Sequence, residues 1–148
     1  MIILEVNRLA PLPVANSWLK TVVDVFNRVV VIPGRPQVSL VFVDKNSIKK
    51  LNRLYRRQNR PTDVLSFTDD GDDFIQPTEE RITLGEIVIC SEIAKDQARQ
   101  FKQPLKWEVA RLVIHGLAHL AGFDHENCSK EAAQEMLAVE RRALELLK

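Results

Sequence analysis

Only two cysteines, Cys90 and Cys128, occur in the 148 residues. Two thiols make no disulfide framework, and such sparing use suits a reducing cytoplasm. Long apolar runs are missing too. None approaches the roughly 20 residues of a membrane span, so no membrane role is expected. The opening MIILEVNRLAPLP has no basic leading region and no long apolar stretch, and it does not read as a signal peptide. Five glycines and seven prolines are too few for a collagen-like or disordered chain. A net charge of +1 shows no excess of either sign, so bulk charge names no partner. The expectation is a cytoplasmic protein of one domain, residues 1–148, long enough to bury a core without staples.

Periodicity supplies the elements. IILEV, residues 2–6, reads as a short strand. Val14 to Ile32 carries Leu19, Val22, Val23, Phe26, Val29 and Val30 at helical spacing, closed by Pro33-Gly34. QVSLVFV, residues 37–43, is a strand rich in β-branched residues. Ser47 to about Arg57 is a helix with Ile48, Leu51, Leu54 and Tyr55 on one side. DVLSF, residues 63–67, and LGEIVIC, residues 84–90, are strands, and Thr68 to Arg81 reads as a loop. Ser91 offers a cap for a helix reaching about Phe101, and Pro104 can open the next. Gly122 suits a stop with positive φ. Ser129 can cap a last helix bearing Ala133, Met136, Leu137, Glu140, Leu144 and Leu147. The order strand, helix, strand, helix, strand, strand, three helices predicts an α+β fold, a small mixed sheet covered by helices.

The three histidines of the chain all fall in HGLAHLAGFDH, residues 115–125. A lone helical histidine is usually a surface residue or a satisfied core residue, and an HxxxH pair alone is weak. Here His115 and His119 stand at i and i+4, on one helix face. Gly122 can turn the chain and return His125 to the same point. Three imidazoles leave a fourth tetrahedral position open, the mark of a catalytic rather than a structural zinc site. Zinc is the expected ion, though nickel, copper and iron also suit nitrogen ligands. Cys128 is either a fourth ligand, which would make the zinc structural, or a free thiol. Asp124 either orients a histidine or lies in solvent. The spacing is also that of the metzincin proteases, but their general-base glutamate is replaced by Gly116.

HGLAHLAGFDH resembles the HGxLHLxGYDH signature of the YbeY family of bacterial endoribonucleases. LNRLYRRQNRPTDVLSF, residues 51–67, is similar to that family's LNxxYRxxxxPTDVLSF block, and LGEIVIC to its LGDIxIx block. The blocks run in the family's order from Leu51 to His125. The resemblance implies a zincin-like fold and one zinc ion on His115, His119 and His125. It implies a metal-dependent, single-strand-specific endoribonuclease of ribosomal RNA maturation, especially the small-subunit 3′ end, and of ribosome quality control. Its partners would be single-stranded RNA, ribosomal RNA and ribosomal particles. Arg56 matches the arginine of the LNxxYR block, a proposed active-site residue. Three departures stand out: Phe123 for tyrosine, Glu86 for aspartate and Ala118 for leucine. A role for that tyrosine's hydroxyl cannot transfer.

Local charge bears on RNA. Lys45 to Thr62 holds seven basic residues and no acidic one. Lys49, Arg53, Arg56, Arg57 and Arg60 would form one basic stripe if the helix extended that far, suited to a phosphate backbone. A solvated helix face is the plainer reading. Residues 68–80 hold six acids and no base, which reads as a surface loop. Without a general-base glutamate, peptide hydrolysis loses its water-activating group. A phosphodiester transition state instead carries extra charge on nonbridging oxygens, which a metal and an arginine can stabilise. The expected chemistry is a metal-assisted phosphodiesterase with Arg56 as helper and Lys49, Arg53 and Arg57 binding the substrate. The proton donor to the leaving oxygen is open between Glu86, Asp124 and a second water. A zincin-type metalloprotease and a non-catalytic, zinc-stabilised RNA-binding assembly factor are the competing readings.

Overall fold

A computed structural model describes residues 1–68, 83–123 and 129–148. The chain runs β1 (Ile3–Arg8), α1 (Asn16–Val29), β2 (Gln37–Val43), α2 (Lys45–Arg56), β3 (Val64–Thr68), β4 (Thr83–Cys90), α3 (Ser91–Gln100), α4 (Leu105–Leu120) and α5 (Lys130–Leu147). This is the order the periodicity predicts. Residues 69–81 of the expected acidic loop lie outside the described residues.

The strands form one sheet in the order β1-β2-β4-β3. β1, β2 and β4 are mutually parallel, and β3 pairs antiparallel with β4 at one edge. The sheet is therefore mixed, as expected. Its two inner strands bury apolar residues on both faces, with Gln37, Ser39 and the exposed Glu86 interrupting the second face. Val38, Leu40, Phe42, Ile87 and Ile89 join the larger core, with residues of α1, α4 and α5. Val43, Val88, Cys90 and Leu65 turn the other way, toward Ile48 and Leu51 of α2. Val6, Leu40, Ile87 and Ser66 are register partners in one row across the sheet. That row carries α4.

Local chemistry sets the helix ends. Asp44 precedes α2 and its Oδ1 accepts the Ser47 N–H at 2.8 Å. That bond favours the carboxylate and holds Asp44 below its ordinary value. α2 stops where Arg57 turns left-handed, φ 56°. α1 ends at Val29, short of Ile32: Val30 is already extended, and a proline disfavours helix in the residue before it. Ser91 does not cap α3. β4 passes into α3 with no intervening loop, so Cys90 takes the boundary and Ser91 is the first helical residue. Among the described residues its buried Oγ has no hydrogen-bond partner. Burial raises the Cys90 thiol, keeping it neutral. Pro104 sits one residue before α4 rather than at its first position. α4 closes as expected: Gly122 has φ 98°, its N–H reaches the His119 carbonyl at 3.1 Å, and the Phe123 N–H reaches that of Ala118 at 3.0 Å. Ser129 caps α5, its Oγ accepting the Ala132 N–H.

Candidate active site and metal centre

His115 and His119 lie on the C-terminal half of α4, and the sheet decides which way they point. Gly116 is seated on Ile87: a Cβ there would come within 2.9 Å of the Ile87 side chain. One turn on, Leu120 lies against Gly85, where a Cβ would meet the Leu120 side chain at 2.6 Å and the Phe67 carbonyl oxygen at closer range still. Gly85 has φ 152°. No side chain fits that backbone or that space. The Gly116–Leu120 ridge is thus buried against β4. The histidine ridge is rotated about 100° from it. The protease-like glutamate is therefore not merely absent, because its position faces the sheet.

One of the two imidazoles is oriented by a residue from another helix. Glu140 of α5 places Oε1 2.6 Å from His115 Nδ1. A carboxylate accepts, so Nδ1 carries the proton and Nε2 is the acceptor nitrogen of the neutral ring. His115 Nε2 stands 3.2 Å from His119 Nε2. Two nitrogens on one edge of a tetrahedral zinc site stand about 3.3 Å apart, given ligand bonds of about 2.0–2.1 Å. The pair fits that edge, and a carboxylate on the far nitrogen is how metal-binding histidines are commonly oriented. Among the described residues no group of three or more metal-ligating side chains is assembled. His125, Asp124 and Cys128 lie outside the described residues.

Sequence reading places Glu140 on the last helix but gives it no role at the site. Its signal was present, since Glu140 occupies a helical position between Met136 and Leu144, on a face otherwise apolar. It missed a second cluster as well. Glu108 is buried one turn before Arg111 and pairs with its guanidinium at 2.5 Å. That pairing raises the arginine's pKa and keeps it charged. Gln103 donates to Glu108 at 2.7 Å. Arg111 also reaches Asp63, 3.8 Å away, where β3 begins. Asp63 Oδ1 in turn accepts the Val64 N–H. The network ties the edge strand to α4, one turn from His115.

Arg56 lies across the edge strand from this helix. It lines a cleft of about 800 Å³ with Leu51, Tyr55, Gln58, Ser66, Phe67, Thr68 and Glu86. Glu86 and Phe67 are register partners on the α2 side. Ser66 belongs to the opposite face, one strand outward from Ile87 and the seat of α4. The cleft thus runs from the end of α2 along β3, while His115 lines a separate, smaller cavity of about 110 Å³ with Ala133, Met136, Leu137 and Glu140. The single basic stripe is not formed. Lys49 and Arg53 are exposed on α2 and Arg56 is half-buried in its last turn, but the left-handed turn at Arg57 breaks the helical row. Arg60 lies beyond it and donates to Gln58 Oε1. The positive charge is a cluster around a turn rather than a line.

Among the described residues no helix is long and apolar enough to cross a membrane. A family model described as endoribonuclease YbeY matches residues 8–148. Proteins named endoribonuclease YbeY are similar over much or all of the chain. The one from Bdellovibrio bacteriovorus is 34% identical over 150 residues, covering 99% of this chain and 93% of its own. That from Thermotoga maritima is 38% identical over 112 residues, 76% of this chain and 68% of its own. The solution structure of the Thermotoga maritima protein TM1509 superimposes with a TM-score of 0.59 at 25% identity, covering 98% of this chain and 91% of that one.

Proposed function

The chain belongs to the YbeY family of endoribonucleases, and from that premise we propose that it is a metal-dependent enzyme cutting single-stranded RNA in the cleft along β3. In this reading the substrate is ribosomal RNA within ribosomal particles, at the small-subunit 3′ end, in maturation and quality control in the cytoplasm. The architecture would be zincin-like. His115, His119 and His125 would hold one zinc ion. The observation that carries the reading is the Glu140–His115–His119 array, with its two Nε2 atoms 3.2 Å apart.

When bound, a zinc ion supplies Lewis acidity at the phosphate and lowers the pKa of water at its open position. The chain's own groups do the rest. Glu140 holds the Nδ1 proton of His115, so that ring turns a lone pair toward its neighbour. Arg56 presents a planar fork to nonbridging phosphate oxygens and is aimed at the charge that grows during cleavage. Lys49, Arg53 and Arg57 hold the flanking backbone. Glu86, in the same cleft as Arg56, is the candidate proton donor to the leaving oxygen. Gly116, closed against Ile87, leaves no space for the glutamate a zincin-type protease uses.

Chelating the metal should abolish cleavage of a single-stranded RNA, and added zinc should restore it. His115→Ala, His119→Ala and His125→Ala should each lower metal content. An unfolded protein incubated in parallel should stay intact. RNA cleavage undiminished in a metal-free preparation would sink the proposal.

A further inference from the structure

Tyr55 and Leu54 leave apolar surface in solvent beside a basic cluster. Tyr55 is 66% exposed and Leu54 69% exposed, on a helix whose other face is packed. Exposed residues of this kind need no explanation when they are scattered. These are not scattered. Tyr55 lines the same cleft as Arg56, and its ring meets that of Phe67 at 5.1 Å, tilted 63°. Phe67 is fixed by its place in β3, paired with Glu86. The contact sets the tilt of the tyrosine ring while most of the residue stays open. From Lys45 to Thr62 there is no acidic residue, and Glu86 is the one acid among the lining residues of the cleft.

We propose that Tyr55 is the stacking platform for one unpaired base of the RNA, beside the phosphate held by Arg56. This rests on the reading of the cleft as the RNA site and adds how the strand is selected there. A base in a duplex has both faces occupied by its neighbours and cannot lie on Tyr55 without being unstacked. A base in a single strand can, and aromatic stacking tolerates any base. Ring and guanidinium come from consecutive residues, so base and phosphate would be gripped within about one nucleotide. The selectivity belongs to the ring, not to its hydroxyl.

The test is single-turnover cleavage by the zinc-loaded full chain, titrated over protein concentration. The probes are one single-stranded oligoribonucleotide and a series bearing one abasic nucleotide at successive positions. At one position near the cut, the abasic site should raise the half-saturating concentration about tenfold, with a smaller effect on the plateau rate. Tyr55→Leu should show the same rise with the intact strand and lose its sensitivity to that abasic position. Tyr55→Phe should behave as wild type. A strand with 5-iodouridine at that position should photo-crosslink to Tyr55, the one tyrosine of the chain. Cleavage by the wild type that is indifferent to every abasic position would overturn the platform. So would a crosslink that maps elsewhere and survives in Tyr55→Leu. If the wild type cleaves no RNA, the function proposed above fails. 5-Iodouridine walked through successive positions of the strand crosslinks without turnover and still decides for or against Tyr55.

Discussion

Helices α4 and α2 both carry candidate residues, yet they are held in opposite ways. Ten of the sixteen residues of α4 are buried, against two of twelve in α2. α4 lies on Ile87 and Gly85 with no space to spare, and Glu140 fixes His115 from α5. α2 is held by Ile48, Asn52 and Leu51 beneath it and by its caps, while Lys49, Arg53 and Tyr55 stand in solvent. On the proposed reading the metal ligands, which tolerate little positional error, fall on the packed helix. On the same reading the flexible strand, which needs reach and charge, falls to the exposed helix.

If that division is right, its largest break lies at Arg56, the half-buried residue in the last turn of the open helix. Removing one preorganised donor to developing charge costs about 3 kcal/mol, roughly a hundredfold in rate. Arg56→Ala should keep its metal content and near-normal RNA affinity and cleave at least about tenfold more slowly in single turnover under saturating protein. Arg56→Lys should recover part of the loss, because charge returns without the fork. Arg57→Ala, one residue on, should lose affinity more than turnover. A wild-type rate for saturated Arg56→Ala would make Arg56 one more backbone anchor.

The packed helix should break differently. A methyl at Gly116 meets Ile87 atoms at 2.9–3.0 Å. Ile87 is β-branched and cannot swing its Cγ atoms aside. Overpacking costs about 1–3 kcal/mol, against about 1 kcal/mol gained because alanine favours helix over glycine. Gly116→Ala should therefore lower stability in urea, by up to about 2 kcal/mol. Ile87→Val removes one of the clashing atoms, so the double variant should lose less than the sum of the two singles. Strictly additive losses would mean that α4 is not seated on Ile87.

The two helices were also unequally legible in the sequence. Strand β2 could be read to the residue because QVSLVFV is β-branched and flanked by turn-formers. The i, i+4 spacing placed His115 and His119 on one face, and Gly122 marked the stop of α4. The role of Glu140 escaped because an apolar stripe was counted by spacing, and spacing does not ask why a carboxylate belongs in it. The role of Gly116 needed the third dimension, since its neighbour Ile87 lies 29 positions away in the chain. The basic stripe depended on the helix running past Arg56, and the helix stops there for a local reason. Arg57 adopts a left-handed conformation that few side chains take, and no sequence rule assigns it to an arginine.

The smallest effect is the one that tests how α2 is held at its other end. Asp44 stands before the helix, and its carboxylate accepts the Ser47 N–H. The bond holds its pKa below the ordinary 3.8. A carboxyl group depressed in the folded state stabilises above its unfolded value, and the gain is lost as the pH falls through the folded value. The contribution should therefore be complete above about pH 5 and fade below about pH 4. Asp44→Ala should lower the melting temperature modestly at neutral pH, with the deficit shrinking in acid as the wild-type group protonates. Asparagine caps nearly as well as aspartate and does not titrate in this range. Asp44→Asn should thus match the wild type near pH 7 and hold its advantage over Asp44→Ala in acid, where the wild type loses it. Melting curves of the three proteins across this range decide the matter. If wild type and Asp44→Asn keep the same separation from Asp44→Ala at every pH, the charged cap is not what fixes the start of α2. The cap would then hold through a hydrogen bond that needs no charge on residue 44.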